Sequence, residues 1–185
     1  MGKSIDLRRD AFNHAQRLMN KGLLRLLFAA AVVASALYVY LSSAQMPDPV
    51  ASHFGMDGRA NNRMARDTYQ LFMTGMTLVI PLVIVVFQAL LPKLLTRFIS
   101  IPRREYWLAT PERRAQMLDY LERHALITGL APPLFFAGIQ WLVVDANARV
   151  PPTLDNAHFL VMGGLFVVWV VAAAVSLSLH FRRTD

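Results

Sequence analysis

The sequence predicts an all-α, polytopic membrane protein with four transmembrane helices and both termini in the cytoplasm. Apolar residues make up 55% of the 185 residues and charged residues only 17%, whereas a typical soluble domain carries about 25% charged residues. The apolar residues are concentrated in four runs, each near the ~20 residues that cross the hydrocarbon core of a bilayer. The Lys and Arg residues are distributed unequally between the segments that join these runs.

The four runs and their links form one predicted transmembrane domain over residues 23–185. The predicted spans are residues 23–44, 68–91, 125–145 and 158–180. Arg25 lies near the start of the first span, where its long side chain can reach the headgroups. Pro81 lies inside the second span and should kink it, because proline removes a backbone hydrogen bond. Neither residue argues against a membrane crossing.

Residues 1–22 form the predicted cytoplasmic N-terminal segment. Basic and apolar residues alternate along it, which is typical either of an amphipathic helix on the inner leaflet or of a disordered tail. A second cytoplasmic helix is predicted before the third span. Thr110, Pro111 and Glu112 offer a capping hydroxyl, a first-turn proline and a carboxylate at the positive end of the helix dipole. We expect this amphipathic helix to continue into the third span.

The orientation follows from the distribution of positive charge. Of the 19 Lys and Arg residues, 15 lie in residues 1–25, the stretch 93–123 and the C-terminal tail, and 4 lie in the loops 45–67 and 145–156. The positive-inside rule therefore places both termini in the cytoplasm and the two loops outside. Because the basic residues flank apolar runs, we expect them to bind anionic lipids in a bacterial cytoplasmic membrane, and not nucleic acid.

The middle of each predicted span lacks Asp, Glu and Lys. Ion pumps and proton-coupled transporters place ionisable groups there, so the sequence argues against a self-contained transporter or channel. Several uncharged polar residues remain, and hydrogen bonds between helices explain them. They are Thr74, Thr77, Gln88, Gln140, Ser176 and Ser178.

The loop at residues 46–58, MPDPVASHFGMDG, is the strongest candidate for a functional segment. Its two prolines should make the chain leave the first span stiff and extended, and Asp57-Gly58 is a turn signal. His53 is thereby displayed between a rigid entry and a tight exit. The residues predicted to shape a surface for a partner or ligand are Pro47, Pro49, His53, Phe54 and Gly58.

A metal site is the alternative at the same face. His53, Asp57 and His158 all lie outside in the predicted topology, and imidazole and carboxylate ligands bind zinc or another divalent ion. The sequence has no HExxH motif and no cysteine, so Cys-type zinc sites and thiolate catalysis are excluded. Ser52 precedes His53, but there is no G-x-S-x-G motif for a nucleophile. No catalytic residue and no other cofactor is predicted.

The loop resembles a known family. Met46-Pro47-Asp48-Pro49-Val50, then His53-Phe54 and Gly58, resemble the Leu-Pro-x-x-Ile/Val, His and Gly pattern of a bacterial four-helix membrane family of unknown function. The same domain occurs in the immunity proteins that protect cells against the sporulation-delaying peptide toxin. The stretch IPRREYWL at residues 101–108 is similar to a cytoplasmic segment of such proteins. The resemblance implies peptide-toxin immunity. Signalling is the other role expected of an outer loop that contacts a partner.

Three functional hypotheses follow. The first is a non-enzymatic interaction protein whose outer loop contacts a peptide or a membrane protein. The second is an extracytoplasmic site that binds a metal or another ligand, or that acts as an enzyme. His53 and His158 would be its ligands or bases. The third is a subunit of a larger membrane complex, because the small residues of the first and fourth spans allow close helix approach.

Overall fold

The computed structural model describes residues 2–96 and 99–182, with side chains for residues 21–96 and 99–182. One turn of π-helix spans Val86–Leu90. The elements are α1 Gly2–Ala44, β1 Val50–Phe54, β2 Ala60–Met64, α2 Arg66–Val85, α3 Leu91–Leu94, α4 Arg104–Leu108, α5 Pro111–Thr128, α6 Ala131–Asn147 and α7 Asn156–Arg182.

The prediction of four spans is confirmed. Within the described residues, four helical stretches are long and apolar enough to cross a membrane, so the chain is a multi-pass membrane protein. They are Lys21–Ala44, Arg66–Leu94, Pro111–Asn147 and Asn156–Arg182. The helix α1 runs without a break through the predicted boundary at residue 22. The amphipathic pattern of residues 1–20 depends on side chains outside the described residues.

The third span contains the predicted amphipathic helix as α5. Thr110 caps it as expected, since its Oγ1 accepts a hydrogen bond of 3.3 Å from the Arg113 N–H. Pro111 occupies the first turn. A short break at Gly129 and Leu130 separates α5 from α6, and the two helices together are 37 residues long.

The helices α1, α2 and α6 pack against one another, while α7 packs on α5 and α6. The most apolar window of α7 has no buried residue, so its surface is available to lipid. At the end away from the hairpin, Trp107 of α4 donates a hydrogen bond of 3.2 Å from Nε1 to the carbonyl of Phe181. This contact fixes α4 against the last turn of α7.

The loop between α1 and α2 contains a feature that the sequence did not predict. Residues 50–54 and 60–64 form an antiparallel two-stranded hairpin in which Val50 pairs with Met64 and Phe54 with Ala60. The sequence of β2, ANNRM, has no alternation of apolar and polar residues, and Asn and Ala are poor strand formers. The hairpin forms because the rest of the protein holds it, as described below.

Pro81 lies inside α2 as predicted and is buried. The π-helical turn begins five residues later. Single π-helical turns within α-helices are frequent at functional sites. This one carries Gln88, whose amide lies against His124 of α5.

Candidate functional site

The hairpin is fixed to the bundle at its base. Val50 and Ala51 are fully buried, and Val50 packs in a cluster with Val39, Tyr69 and Val143. A single side chain from the end of α6 holds the free edge of β1. The Ala51 N–H donates to Asn147 Oδ1 at 2.8 Å, and Asn147 Nδ2 donates to the Ala51 carbonyl at 3.0 Å. Asn147 thus replaces a neighbouring strand.

The tip of the hairpin is tied to the loop between α6 and α7. The Leu154 N–H donates to the Gly58 carbonyl at 2.8 Å, and the Ala60 N–H donates to the Pro152 carbonyl at 3.3 Å. Asn156 Nδ2 adds a hydrogen bond of 2.7 Å to the Met56 carbonyl. The two outer loops therefore form one connected structure.

Gly58 is at a position that only glycine fits. Its φ is +78°, and an added Cβ would lie 2.7 Å from the Leu154 carbonyl oxygen. Gly58 N–H donates to the Gly55 carbonyl at 2.9 Å and closes the turn. The predicted turn at Asp57-Gly58 is confirmed, with the connection to Leu154 as a further reason for glycine.

A neutral hydrogen-bond network lies beneath the hairpin. Gln140 is fully buried; its Oε1 accepts a hydrogen bond of 2.9 Å from the Tyr69 hydroxyl. Its Nε2 donates to Ser42 Oγ at 2.9 Å and to Ser43 Oγ at 3.0 Å. This network joins the end of α1, the start of α2 and the middle of α6. It makes the platform under the hairpin rigid without any charge.

Some of the residues predicted to contact a partner are exposed, and the others are buried or half-buried. Pro47, Pro49 and His53 are exposed, whereas Gly58 is buried and Phe54 is half-buried against the cluster around Val50. The structure adds two apolar side chains at the loop tips. Met56 is 101% exposed and Val150 is 99% exposed.

A cavity of about 380 Å³ opens between β1, α6 and α7. Pockets of this size with apolar walls and a few polar groups are typical ligand sites. Ser52, His53 and Asn156 are its polar lining. The remaining lining residues are Phe54, Gly55, Met56, Ile139, Leu142, Val143, Leu154, Phe159 and Leu160.

The residues predicted as metal ligands have separate partners. His53 Nδ1 lies 3.3 Å from Ser52 Oγ, Asp57 Oδ1 accepts from the Arg59 N–H at 3.1 Å, and His158 Nδ1 lies 2.8 Å from Asp155 Oδ2. In the part of the chain that the structure describes, no three His, Asp or Glu residues are grouped so as to hold a metal ion. A metal bound by His53 and His158 stays a prediction.

The pair of Asp155 and His158 belongs to the start of α7. The side-chain hydrogen bond with His158, together with those from the backbone N–H groups of His158 and Ala157, lowers the pKa of the Asp155 carboxyl. Asp155 therefore caps the helix as a carboxylate. The carboxylate beside His158 is therefore Asp155, and not the predicted Asp57.

Sequence reasoning missed Asn147, Asn156 and Met56. The two asparagines lie at the end of α6 and the start of α7. Asn is common at helix ends, where it caps the helix, so the sequence gives no reason to expect their hydrogen bonds to the hairpin. Met56 lies inside the 46–58 loop, but nothing in the sequence around it indicates that its side chain is exposed. Its full exposure is evident only once the turn is folded.

Comparison of the chain with models of protein families, with curated proteins and with solved structures found no match.

Proposed function

We propose that this protein is a non-enzymatic interaction module of a bacterial cytoplasmic membrane, and that its hairpin faces the extracytoplasmic side and contacts a peptide or membrane-protein partner. The single observation that carries the proposal is the 380 Å³ apolar cavity beside an exposed hairpin tip. The distribution of Lys and Arg supports the orientation.

The hairpin is suited to binding because it is held in one conformation before any partner arrives. Asn147 fixes its base, and the bonds to Leu154 and Asn156 fix its tip. A preorganised surface loses less conformational entropy on association than a flexible loop does. An apolar side chain of the partner would fill the cavity, with Met56 covering it from outside and His53 donating or accepting at the rim.

Peptide-toxin immunity is the activity that the resemblance favours, and signalling through the same surface is its close alternative. An extracytoplasmic surface that captures a membrane-active peptide would keep it from the bilayer. The exposed apolar Met56 next to an apolar cavity matches the amphipathic character of such a peptide.

A second candidate is an extracytoplasmic metal or ligand site formed by His53 and His158. Both side chains are exposed at the hairpin end of the bundle. A divalent metal such as zinc would need them to share an ion. The proposed interaction surface instead uses His53 without His158, since His53 lines the cavity and His158 does not.

Survival of toxin-challenged cells tests both candidates. Bacteria that express the chain are exposed to the sporulation-delaying peptide toxin, alongside variants His53→Ala, Met56→Asp and His158→Ala. We expect the first two variants to lose protection and His158→Ala to keep it, at equal membrane levels of protein. Loss of protection in both histidine variants, with Met56→Asp still protective and stoichiometric zinc in the purified protein, would favour the metal site instead.

A further inference from the structure

A groove runs along the other half of the bundle, between the π-helical turn, α5 and α7. It contains a cavity of about 340 Å³ and another of about 420 Å³. Gln88 and Leu177 line both cavities, so the two are adjacent. The helix α7 packs on α5 and α6, and α2 packs on α1 and α6, which leaves this groove between α2 and α7.

The floor of the groove is polar. His124 of α5 is 8% exposed; its Nδ1 lies 3.0 Å from the Gln88 side-chain oxygen and its Nε2 lies 3.0 Å from the Ala173 carbonyl. Thr128 Oγ1 donates at 2.8 Å to the His124 carbonyl and also lines the smaller cavity. These three side chains are the polar lining of that cavity.

These polar groups belong to the second, third and fourth candidate spans. Ala173, which contacts His124, precedes the end of α7 at Arg182 by a helical distance of ~14 Å at 1.5 Å per residue. Ionisable side chains within spans are costly, and they mark functional sites in membrane proteins. The helix geometry is also irregular on both sides, with the π-helical turn around Gln88 and the break after Thr128.

The hydrogen bond with His124 leaves the amide nitrogen of Gln88 available. The Gln88 side-chain oxygen is the atom that faces His124 Nδ1, at 3.0 Å, so this oxygen accepts and the two N–H groups of Gln88 do not bind His124. The Gln88 side chain lines both cavities, where an N–H can donate to a ligand.

The walls of the groove are apolar and partly aromatic. Phe166 and Trp169 line the smaller cavity next to the polar floor. The larger cavity continues with aliphatic side chains such as Leu91, Leu95 and Ile101. Among residues 21–96 and 99–182, whose side chains the structure describes, no Lys, Arg, Asp or Glu lines the smaller cavity, so none of them would compensate the charge of an anionic ligand head there.

We propose that this groove binds a membrane-soluble amphiphile whose head is a neutral, planar ring with carbonyl groups, as in a quinone. A ring carbonyl accepts the free N–H of Gln88, and the ring packs against Phe166 and Trp169, since aromatic faces favour stacked or edge contacts with planar rings. The apolar chain of the ligand follows the larger cavity past Leu91.

Binding can be measured through the tryptophan that lines the site. The full chain in phosphatidylcholine nanodiscs is titrated with a benzoquinone that carries one isoprene unit, and the quenching of tryptophan emission is recorded. We expect a saturable component that is absent from Trp169→Phe, because the other two tryptophans, Trp107 and Trp141, do not line the groove. Quenching that rises linearly in the wild type would overturn the proposal.

Three variants distinguish recognition of the head from simple partition into an apolar groove. Gln88→Leu should weaken binding about five- to tenfold through the lost hydrogen bond. Ala174→Leu should abolish it by filling the smaller cavity, whereas Val171→Leu, on the same helix but lining neither cavity of the groove, should leave it unchanged. An unchanged midpoint in Gln88→Leu, or displacement of the quinone by an equal concentration of 1-decanol, would contradict recognition of a carbonyl head.

Discussion

The two ends of the bundle hold their buried polar groups in different ways. Beneath the hairpin, Gln140 joins three helices through neutral hydrogen bonds to hydroxyl groups. At the opposite end, Glu122 of α5 binds Lys93 at 2.7 Å and also forms an ion pair with Arg25. Both sites connect α1 to the second and third spans, but only the second one uses charge.

The difference reflects the surroundings of each end. The Glu122 side chain is 10% exposed, while Arg25 is 59% exposed and Lys93 is 40% exposed, so both cations reach water while neutralising a buried carboxylate. The network around Gln140 has no such access and avoids ions, because an unpaired charge there would be far more costly than a neutral amide. Salt and substitution should therefore affect the two ends differently.

Replacing the carboxylate at the charged end should have the largest effect. Glu122→Gln leaves Arg25 and Lys93 close together without their shared counter-charge. Breaking a buried ion pair costs roughly 3–5 kcal/mol, and we expect about 2 kcal/mol here because water solvates both cations. Denaturant unfolding in mixed micelles measures the loss. High salt should destabilise the wild type more than the variant, and equal salt dependence of the two would argue against an ionic cluster.

The matched change at the neutral end should cost less. Gln140→Leu leaves the Tyr69 hydroxyl and Ser43 without their buried partner. Hydrogen bonds between membrane helices contribute about 0.6 kcal/mol each on average, so we expect a loss of about 1–2 kcal/mol in the same unfolding assay. The salt dependence should equal that of the wild type. A variant as unstable as Glu122→Gln would remove the distinction between the two ends.

A smaller and local effect is expected at the hairpin base. Asn147→Ala removes both hydrogen bonds to Ala51 and one of 2.9 Å to the Val143 carbonyl. We expect the hairpin to open more often, by about 1 kcal/mol of local stability, with little change in global unfolding. Hydrogen exchange measures this as faster exchange at Ala51, with the amides of α6 as the internal control. Unchanged exchange at Ala51 would show that the strand is held by packing alone.

The smallest effect concerns pH at the start of α7. The pKa of the Asp155 carboxyl is lowered by its hydrogen bonds with His158. The ionised carboxyl therefore stabilises the folded state at a pH above the ordinary pKa range of aspartate, and this stabilisation is lost as the pH falls through the lowered pKa. An NMR titration should show Asp155 ionising below that range, and His158→Ala should move its pKa upwards. No movement would mean that the backbone N–H groups alone set it.

Most of the helical fold could be predicted from sequence, because spans are set by the length of apolar runs and need no knowledge of their neighbours. Thr110 and Gly58 were predictable for a similar reason, since capping and positive φ are local demands. The strands were not predictable, because Asn147 supplies the edge bonds of β1 from 96 residues away. The ion pair of Glu122 with Arg25 was not predicted either, because the sequence alone indicates that the Arg25 side chain extends to the headgroups.

The central claim is that the hairpin lies on the face opposite to the basic end of the protein. The chain has no cysteine, so single cysteines introduced as Met56→Cys and Arg113→Cys report their own positions. In intact cells treated with a membrane-impermeant maleimide, Met56→Cys should be labelled and Arg113→Cys should be labelled only after permeabilisation. Labelling of both without permeabilisation, or of Arg113→Cys alone, would contradict the account.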